Sequence, residues 1–433
     1  MSPEVIGAIG ICVFLILLVL RVPIAFSFAV VGFLGYGYLR SFNASLSLFA
    51  LIPYTWGTKY TFLCLPLFIL MGLFAATSGI TRDLFDAGQK WLGRFPGGLA
   101  QATIAGSTAF AACTGSSMAA AVTMGHIAIP EMKRYDYSPE LATGTVAAGG
   151  TLGILIPPSV GLVIYGIIAE QSIGKLFIAG ILPGLLICLL YMAQIYLRCR
   201  LNPKLGGRSV AISRKERLLS LKGIWGVLAV FALVMGGIYG GLFTPVEAGG
   251  VGAFATLSIA FFRGKLNWGN FTSALASMGQ IVGMVFMIFI GAMVFSIFMT
   301  ASGIPRELSN SISVLPLPRY GILALILLMY LPLGCLLEPM SMLVLTLPIL
   351  LPTLQALQFD LIWIGILVVL MMEIGLITPP VGLNCFAIKG VAPDVPLETI
   401  FRGVLPFVFV HILGVILIVV FPQIAMFLPN VMR

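Results

Sequence analysis

The chain has 433 residues, 60% of them hydrophobic and only 9% charged. A soluble domain carries about 25% charged residues, so this composition excludes an ordinary globular enzyme or a nucleic-acid-binding module. The net charge of +9 instead reads as the imprint of membrane topology, with lipid as a partner and nucleic acid as none.

Apolar runs of about 18 residues or more, each long enough to cross a bilayer, recur along the chain. The strict alternation of a transmembrane barrel is not seen. The first run, Glu4 to Leu20, lacks a basic leader and a small-residue cleavage site, and so reads as a membrane helix and not a removed signal peptide. The expected spans are 4–20, 22–39, 61–80, 138–168, 176–197, 223–243, 245–262, 270–300, 360–388 and 403–428. Two further apolar stretches, 98–130 and 320–352, are dense in Gly, Ser and Pro. They read as re-entrant hairpins, whose irregular backbone is tolerated at membrane depth only where protein or a wet cavity covers it. The predicted fold class is an all-α polytopic membrane protein.

The seven cysteines show no pairing or metal-ligand spacing, and the two histidines, His126 and His411, are far apart. The cysteines are expected to be small core residues, His126 a hydrogen-bonded core residue, and no cofactor is expected. With the N-terminus outside, 18 of the 24 basic residues fall in cytoplasmic loops, eight of them in the run Arg198 to Lys222. Both termini are therefore expected outside.

The two halves resemble each other. "SGITRDL" at 78–84 matches "SGIPRELS" at 302–309, and at an offset of 222 Cys113 aligns with Cys335, Met118 with Met340 and Pro130 with Pro352. "GTLGILIPPSVG" at 150–161 aligns with "EIGLITPPVG" at 373–382, so that Gly153, Pro157 and Pro158 match Gly375, Pro379 and Pro380. A Pro inside a helix costs about 3 kcal/mol, so each pair should break its helix. The organisation expected is scaffold helices over 1–60, a first repeat over 61–197, a basic cytoplasmic loop over 198–222, scaffold helices over 223–262 and a second repeat over 270–428. Each repeat runs from a spanning helix through an Arg-bearing arm, a hairpin and a broken helix to a further scaffold helix. In the expected topology the repeats are inverted, as in secondary transporters, whose broken helices bind solute and ions near the midplane.

Freed carbonyls at a break suit a hard cation such as sodium, and helix N-termini favour anions. The tip of hairpin one is "ACTGSSMAA", with Gly115, Ser116 and Ser117, and its break carries Thr151 and Gly153. The tip of hairpin two is "GCLLEPMSM", with Glu338 and Ser341, and its break carries Glu373, Gly375, Thr378, Gly382 and Asn384. Glu338 aligns with Ser116 and Glu373 with Thr151, so carboxylates in one half stand where hydroxyls stand in the other. Acids at membrane depth are costly and mark function, although either could instead cap amides freed by a break. Glu247 in "TPVEAGG" is expected to cap a helix, and Arg82 and Arg306 to anchor the arms.

"GSSMAAAVTMGHIAIPEM", "GTLGILIPPSVGLVIYG", "LEPMSMLVLTLPILLP" and "EIGLITPPVGLN", in this order, resemble the large membrane subunit of tripartite ATP-independent periplasmic (TRAP) transporters. The resemblance covers nearly the whole chain. It implies an elevator-type ion-transporter fold, in which hairpins and broken helices move against a scaffold in the inner membrane. It implies sodium-driven uptake of an organic acid: a C4-dicarboxylate, sialic acid or a keto acid. It implies two partners, a separate small four-helix membrane subunit and a periplasmic substrate-binding protein. Carried onto this chain, one sodium site would use Gly115, Ser116, Ser117, Thr151 and Gly153. A second would use Glu338, Gly375, Thr378 and Gly382. The solute would lie near Ser116, Ser341, Thr378 and Asn384. A stand-alone sodium–dicarboxylate symporter of similar fold is the alternative. An intramembrane protease built on "GSS" and His126 would leave the repeat unexplained, and a passive channel would not need the hairpin-and-break pairs.

Overall fold

The computed structural model describes residues 1–208, 213–307 and 317–431, apart from the side chain of Leu336. The first part of the chain forms α1 (Pro3–Val19), α2 (Ile24–Leu39), α3 (Phe42–Gly57), α4 (Cys64–Thr77) and the arm α5 (Ile80–Leu92). Hairpin one is α6 (Gly98–Thr114) and α7 (Ser117–Arg134), followed by the broken helix α8 (Pro139–Leu155) and α9 (Val160–Ile168), then α10 (Ile173–Leu201). The middle of the chain supplies α11 (Arg214–Tyr239), α12 (Pro245–Phe262) and α13 (Trp268–Ser302). Hairpin two is α14 (Arg319–Leu336) and α15 (Pro339–Ala356), followed by the broken helix α16 (Leu361–Ile377) and α17 (Leu383–Val391), then α18 (Leu397–Val420) and α19 (Gln423–Val431).

Local chemistry starts many of these helices. Ser41, Ser138, Ser159, Ser172, Ser213, Thr244 and Asn267 each accept an amide of the first turn on their own side chain. A first-turn amide left bare in hydrocarbon would cost several kcal/mol, so such caps matter more here than in water. Glu247 closes a reciprocal box with Thr244, its carboxylate accepting the Thr244 amide at 2.8 Å, as expected of it.

The repeat is written in the helix bounds. α7 and α15 have 18 residues each and start 222 residues apart; α8 and α16 have 17 each at the same offset; α9 and α17 have nine each. Both Pro-Pro bonds at the breaks are cis.

Packing sorts the helices into two groups. α2 lies along α13, and α4 lies along α12 and α13, with α1, α3 and α11 joined to them. The hairpins and broken helices form the second group, with α8 in contact with α6, α7, α16 and α18. The groups meet where α4 touches α6, where α13 touches α15, and through α5, which bridges α11 and α6.

The helix bounds differ from several of the expected ones. Seven helices among the described residues are long and apolar enough to cross a membrane alone, and α8 with α9, bent by 40°, make an eighth. Among the expected spans, α1, α2 and α16 are apolar helices of 16 or 17 residues. Residues 42–57 fold as α3, which keeps Phe42, Leu46, Phe49, Leu51 and Tyr54 exposed. Much of the basic run 198–222 is helical: α10 reaches Leu201, and α11 starts at Arg214 behind the Ser213–Glu216 box. The stretch 403–428 is two helices, parted at Phe421 and Pro422. The helices over 176–197 and 403–428 are α10 and α18, which pack against the broken helices. Of the repeat-two arm, 304–307 is helical; residues 308 and 309 of the matched "SGIPRELS", like Arg433 at the chain end, lie outside the described residues.

Candidate ion and solute site

Each hairpin tip meets the break of its own repeat. In hairpin one, Gly115 takes a left-handed φ of 60° between α6 and α7. A Cβ there would stand 2.9 Å from the Pro158 carbonyl oxygen, and one on Gly153 would stand 2.7 Å from the Ser116 carbonyl oxygen. Glycine is demanded at both positions, by backbone conformation at one and by backbone approach at the other. Ser116 caps α7, its hydroxyl accepting the Ala119 amide at 3.5 Å. In hairpin two, Gly334 and Gly375 face each other so closely that a Cβ on Gly375 would come within 2.5 Å of the Gly334 Cα. The Cys335 thiol lies 3.3 Å from the Pro379 carbonyl oxygen.

Glu338 caps α15. Its Oε2 accepts the amides of Met340 at 3.1 Å and Ser341 at 3.2 Å, and the Ser341 hydroxyl at 3.3 Å. Asn384, fully buried at the start of α17, donates to the Ala147 carbonyl of α8 at 3.2 Å and so ties one broken helix to the other. Among the described residues its Oδ1 has no hydrogen-bond partner.

The two tips and the two breaks border one cavity of about 470 Å³. Thr114 to Ala119 come from tip one, Glu338 to Met340 from tip two, and Asn384 with Leu376 and Leu383 from break two. The opposite wall is α4, with Ile69, Gly72 and Leu73, and α13, with Ile281, Met284 and Val285. The size suits a small solute, and the few polar groups among apolar ones are what orient one.

Of the expected residues, Gly115, Ser116, Ser117, Glu338 and Asn384 line this cavity. Gly153 and Gly375 lie behind the tips that they pack against. Ser341 is buried and spends its hydroxyl on Glu338. The Thr378 hydroxyl donates to the Ile374 carbonyl at 2.6 Å, and Gly382 holds a left-handed φ of 57° at the start of α17. The Thr151 hydroxyl does not reach the tip: it donates to the Ala148 carbonyl at 2.8 Å and lies beside Tyr191. The reason is helical phase, since Thr151 stands about 200° around α8 from Gly153. His126 is exposed on α7 and is not a core residue. On arm one, Asp83 and not Arg82 makes the anchor, by pairing with Arg263, which also donates to the Gly223 carbonyl at 3.3 Å. The walls from α4 and α13 and the buried residues Tyr191 and His411 were not expected at all. The near-repeat spacing of Tyr191 and His411 was the available signal.

A profile of the family described as "Tripartite ATP-independent periplasmic transporter, DctM component" matches residues 11–424. The chain belongs to this family. It is thus the large permease subunit of a TRAP transporter, a multi-pass protein of the inner membrane and not an enzyme. The chain is 38% identical to the C4-dicarboxylate TRAP transporter large permease protein DctM of Pseudomonas aeruginosa, over 86% of each chain. It is 33% identical to the sialic acid large permease SiaM of Vibrio cholerae, over 86% of this chain and 87% of that one. It is 30% identical to the ectoine large permease TeaC of Halomonas elongata, over 84% and 85%. Among solved structures, the YdaH transporter of Alcanivorax borkumensis shares the fold, with a TM-score of 0.59 at 15% identity over 85% of each chain. TRAP large subunits work with a small membrane subunit and a periplasmic binding protein. In keeping with this, the chain matches 65% of the isethionate permease protein DctMQ of Oleidesulfovibrio alaskensis, a longer protein.

Proposed function

We propose that this permease carries an organic acid inward on a sodium gradient, receiving it from a periplasmic binding protein, with a separate four-helix small subunit beside it. C4-dicarboxylates, sialic acid and keto acids are the solute classes in view. The observation that carries this reading is the pair of hairpin tips, each set against its own break, around one cavity. We read each tip-and-break pair as one sodium site, built on the carbonyls that its break frees, while the two tips differ in charge toward the solute. The N-terminus of α7 bears a neutral Ser116 cap and offers its positive dipole end to a carboxylate. The N-terminus of α15 is already capped by Glu338, whose carboxylate oxygens suit a hard cation such as sodium. Orphaned Asn384 Oδ1 supplies a further oxygen at the same cavity. Sodium here is cargo as well as driver, since it crosses with the solute.

The moving body of the elevator is the second packing group, including α10 and α18. The first group, with α4 and α13 as its face, is the scaffold. After the binding protein docks and delivers the solute, tip one and tip two close on it, and the body carries the site across the membrane.

The test is uptake into proteoliposomes holding the chain and its small subunit, with an inward sodium gradient and radiolabelled organic acids, with and without the binding protein. Uptake that needs both sodium and the binding protein is expected. Uptake that proceeds without the binding protein would make the chain a stand-alone symporter. Glu338→Gln keeps an oxygen acceptor for the α15 amides but removes the charge. It is expected to raise the sodium concentration for half-maximal uptake while leaving folding intact.

A further inference from the structure

Behind the cavity runs a second polar feature, on the side of the broken helices away from the tips. Tyr191 of α10 and His411 of α18 are both fully buried, and the Tyr191 hydroxyl and His411 Nδ1 stand 2.7 Å apart. Tyr191 also lies beside the Thr151 hydroxyl on α8. On the other side, His411 Nε2 stands 3.6 Å from Glu373 Oε2 on α16, with both side chains wholly buried. The series Thr151, Tyr191, His411, Glu373 thus runs from one broken helix to the other, with Tyr191–His411 as its hydrogen bond and with His411 Nε2 and both Glu373 oxygens lacking a hydrogen-bond partner among the described residues. Thr151 and Glu373 are related by the repeat, 222 residues apart, and Tyr191 and His411, 220 apart, stand near matching positions on the corresponding helices.

A polar series through a membrane core is expensive where its groups lack partners, and the Glu373 carboxyl lacks them among the described residues, so a role beyond packing is called for. Nothing in the cavity needs it, because none of its four members lines the cavity. What it does geometrically is fix the two breaks relative to each other. Thr151 lies two residues before Gly153, which holds tip one, and Glu373 lies two residues before Gly375, which holds tip two. A rotation of α8 that shifts Gly153 against Ser116 also moves Thr151 against Tyr191. The matching rotation of α16 moves Glu373 against His411.

We infer that the Tyr191–His411 hydrogen bond is a positioning contact that couples the two halves, so that an ion bound at one tip-and-break pair raises the affinity of the other. This rests on the reading that both pairs bind sodium. Coupling through such a contact needs an element with two arrangements that both sites bias, and the two broken helices are that element.

The decisive variant is Tyr191→Phe, which removes the hydroxyl and keeps the ring packed edge-on to Phe407 at 5.2 Å. His411→Asn is the second variant, and it keeps a polar group near the position of Nδ1. Phe407→Leu is the control, since it loosens the Tyr191 ring without removing the bond. Each is reconstituted with the small subunit. Two sodium titrations are read: the initial rate of uptake, and the rise in melting temperature of the purified complex, which requires no transport. The wild type is expected to give a Hill coefficient above one in both. Tyr191→Phe should lower it to about 1 and raise half-saturation, while the rate at saturating sodium persists. His411→Asn should retain part of the cooperativity, and Phe407→Leu all of it. Unchanged cooperativity in Tyr191→Phe, equal loss in Phe407→Leu, or a wild-type coefficient of one each overturns the coupling while sodium drive stands. No response to sodium in either titration overturns the sodium reading and the coupling with it.

Discussion

Gly153 has no room for a methyl group. A Cβ would stand 2.7 Å from the Ser116 carbonyl oxygen and 3.1 Å from the Ser117 Cα, so the tip must move for any larger residue. Overpacking of this kind costs about 1–3 kcal/mol. Gly153→Ala is therefore expected to lower the melting temperature and to reduce uptake, since the displaced tip is the cavity wall. Gly279 in α13 gives the contrast, because nothing lies within 4 Å of its would-be Cβ. Gly279→Ala should leave uptake unchanged and stabilise slightly, by up to about 1 kcal/mol from helix propensity. The glycine at 153 was legible in the sequence because the repeat duplicates it at 375. The residue at 151 was legible as a position but not as a direction: its hydroxyl faces α10, and phase around a broken helix is set by which neighbour covers each side.

At the scale of elements, the arm α5 is held by charge. Asp83 pairs with Arg263 at the end of α12, both side chains being about two-thirds buried. A double-mutant cycle with Asp83→Asn and Arg263→Gln is expected to give a coupling of about 1 kcal/mol in thermal stability, with the single changes loosening the arm that bridges α11 to hairpin one. A second tie joins hairpin one to the segment after α17, where Lys133 Nζ lies 2.7 Å from Asp394. The hydrogen bond from Lys133 holds the Asp394 carboxyl below the usual carboxylate range. Such an acid stabilises the fold above its unfolded value, and that contribution is lost as pH falls through the lower folded value. The difference in melting temperature between wild type and Lys133→Met should thus be constant near neutrality and shrink below about pH 4. A gap that stayed constant into acid would show that the pair does not act through Asp394 ionisation. Neither tie could be paired in advance, because Asp83 and Arg263 are 180 residues apart and Lys133 and Asp394 are 261 apart.

At the scale of the molecule, the cavity sits on the seam between two packing groups, the placement that the proposed elevator movement requires. Met284 of α13 faces the tips across this seam. Met284→Trp would put an indole into a space of about 470 Å³. Initial uptake rates are expected to fall roughly tenfold, equivalent to about 1.4 kcal/mol, while the melting temperature changes little. Uptake at the wild-type rate would place the solute elsewhere.

The sequence by itself determined the class, the repeat and the breaks. Membrane insertion is decided by apolar length, helix rupture by paired prolines, and caps by residues within one turn; each is a local cause acting on neighbouring residues. It also paired each hairpin with the break of its own repeat, because the order of hairpin and Pro-Pro break is duplicated at an offset of 222. Only the tertiary structure decided that α10 and α18 pack against the broken helices, that α4 and α13 wall the cavity, and that Tyr191 and His411 meet between the two halves. These depend on which apolar faces cover one another, and almost every face of a membrane helix is apolar, so hydrophobic pattern cannot tell a neighbouring helix from lipid.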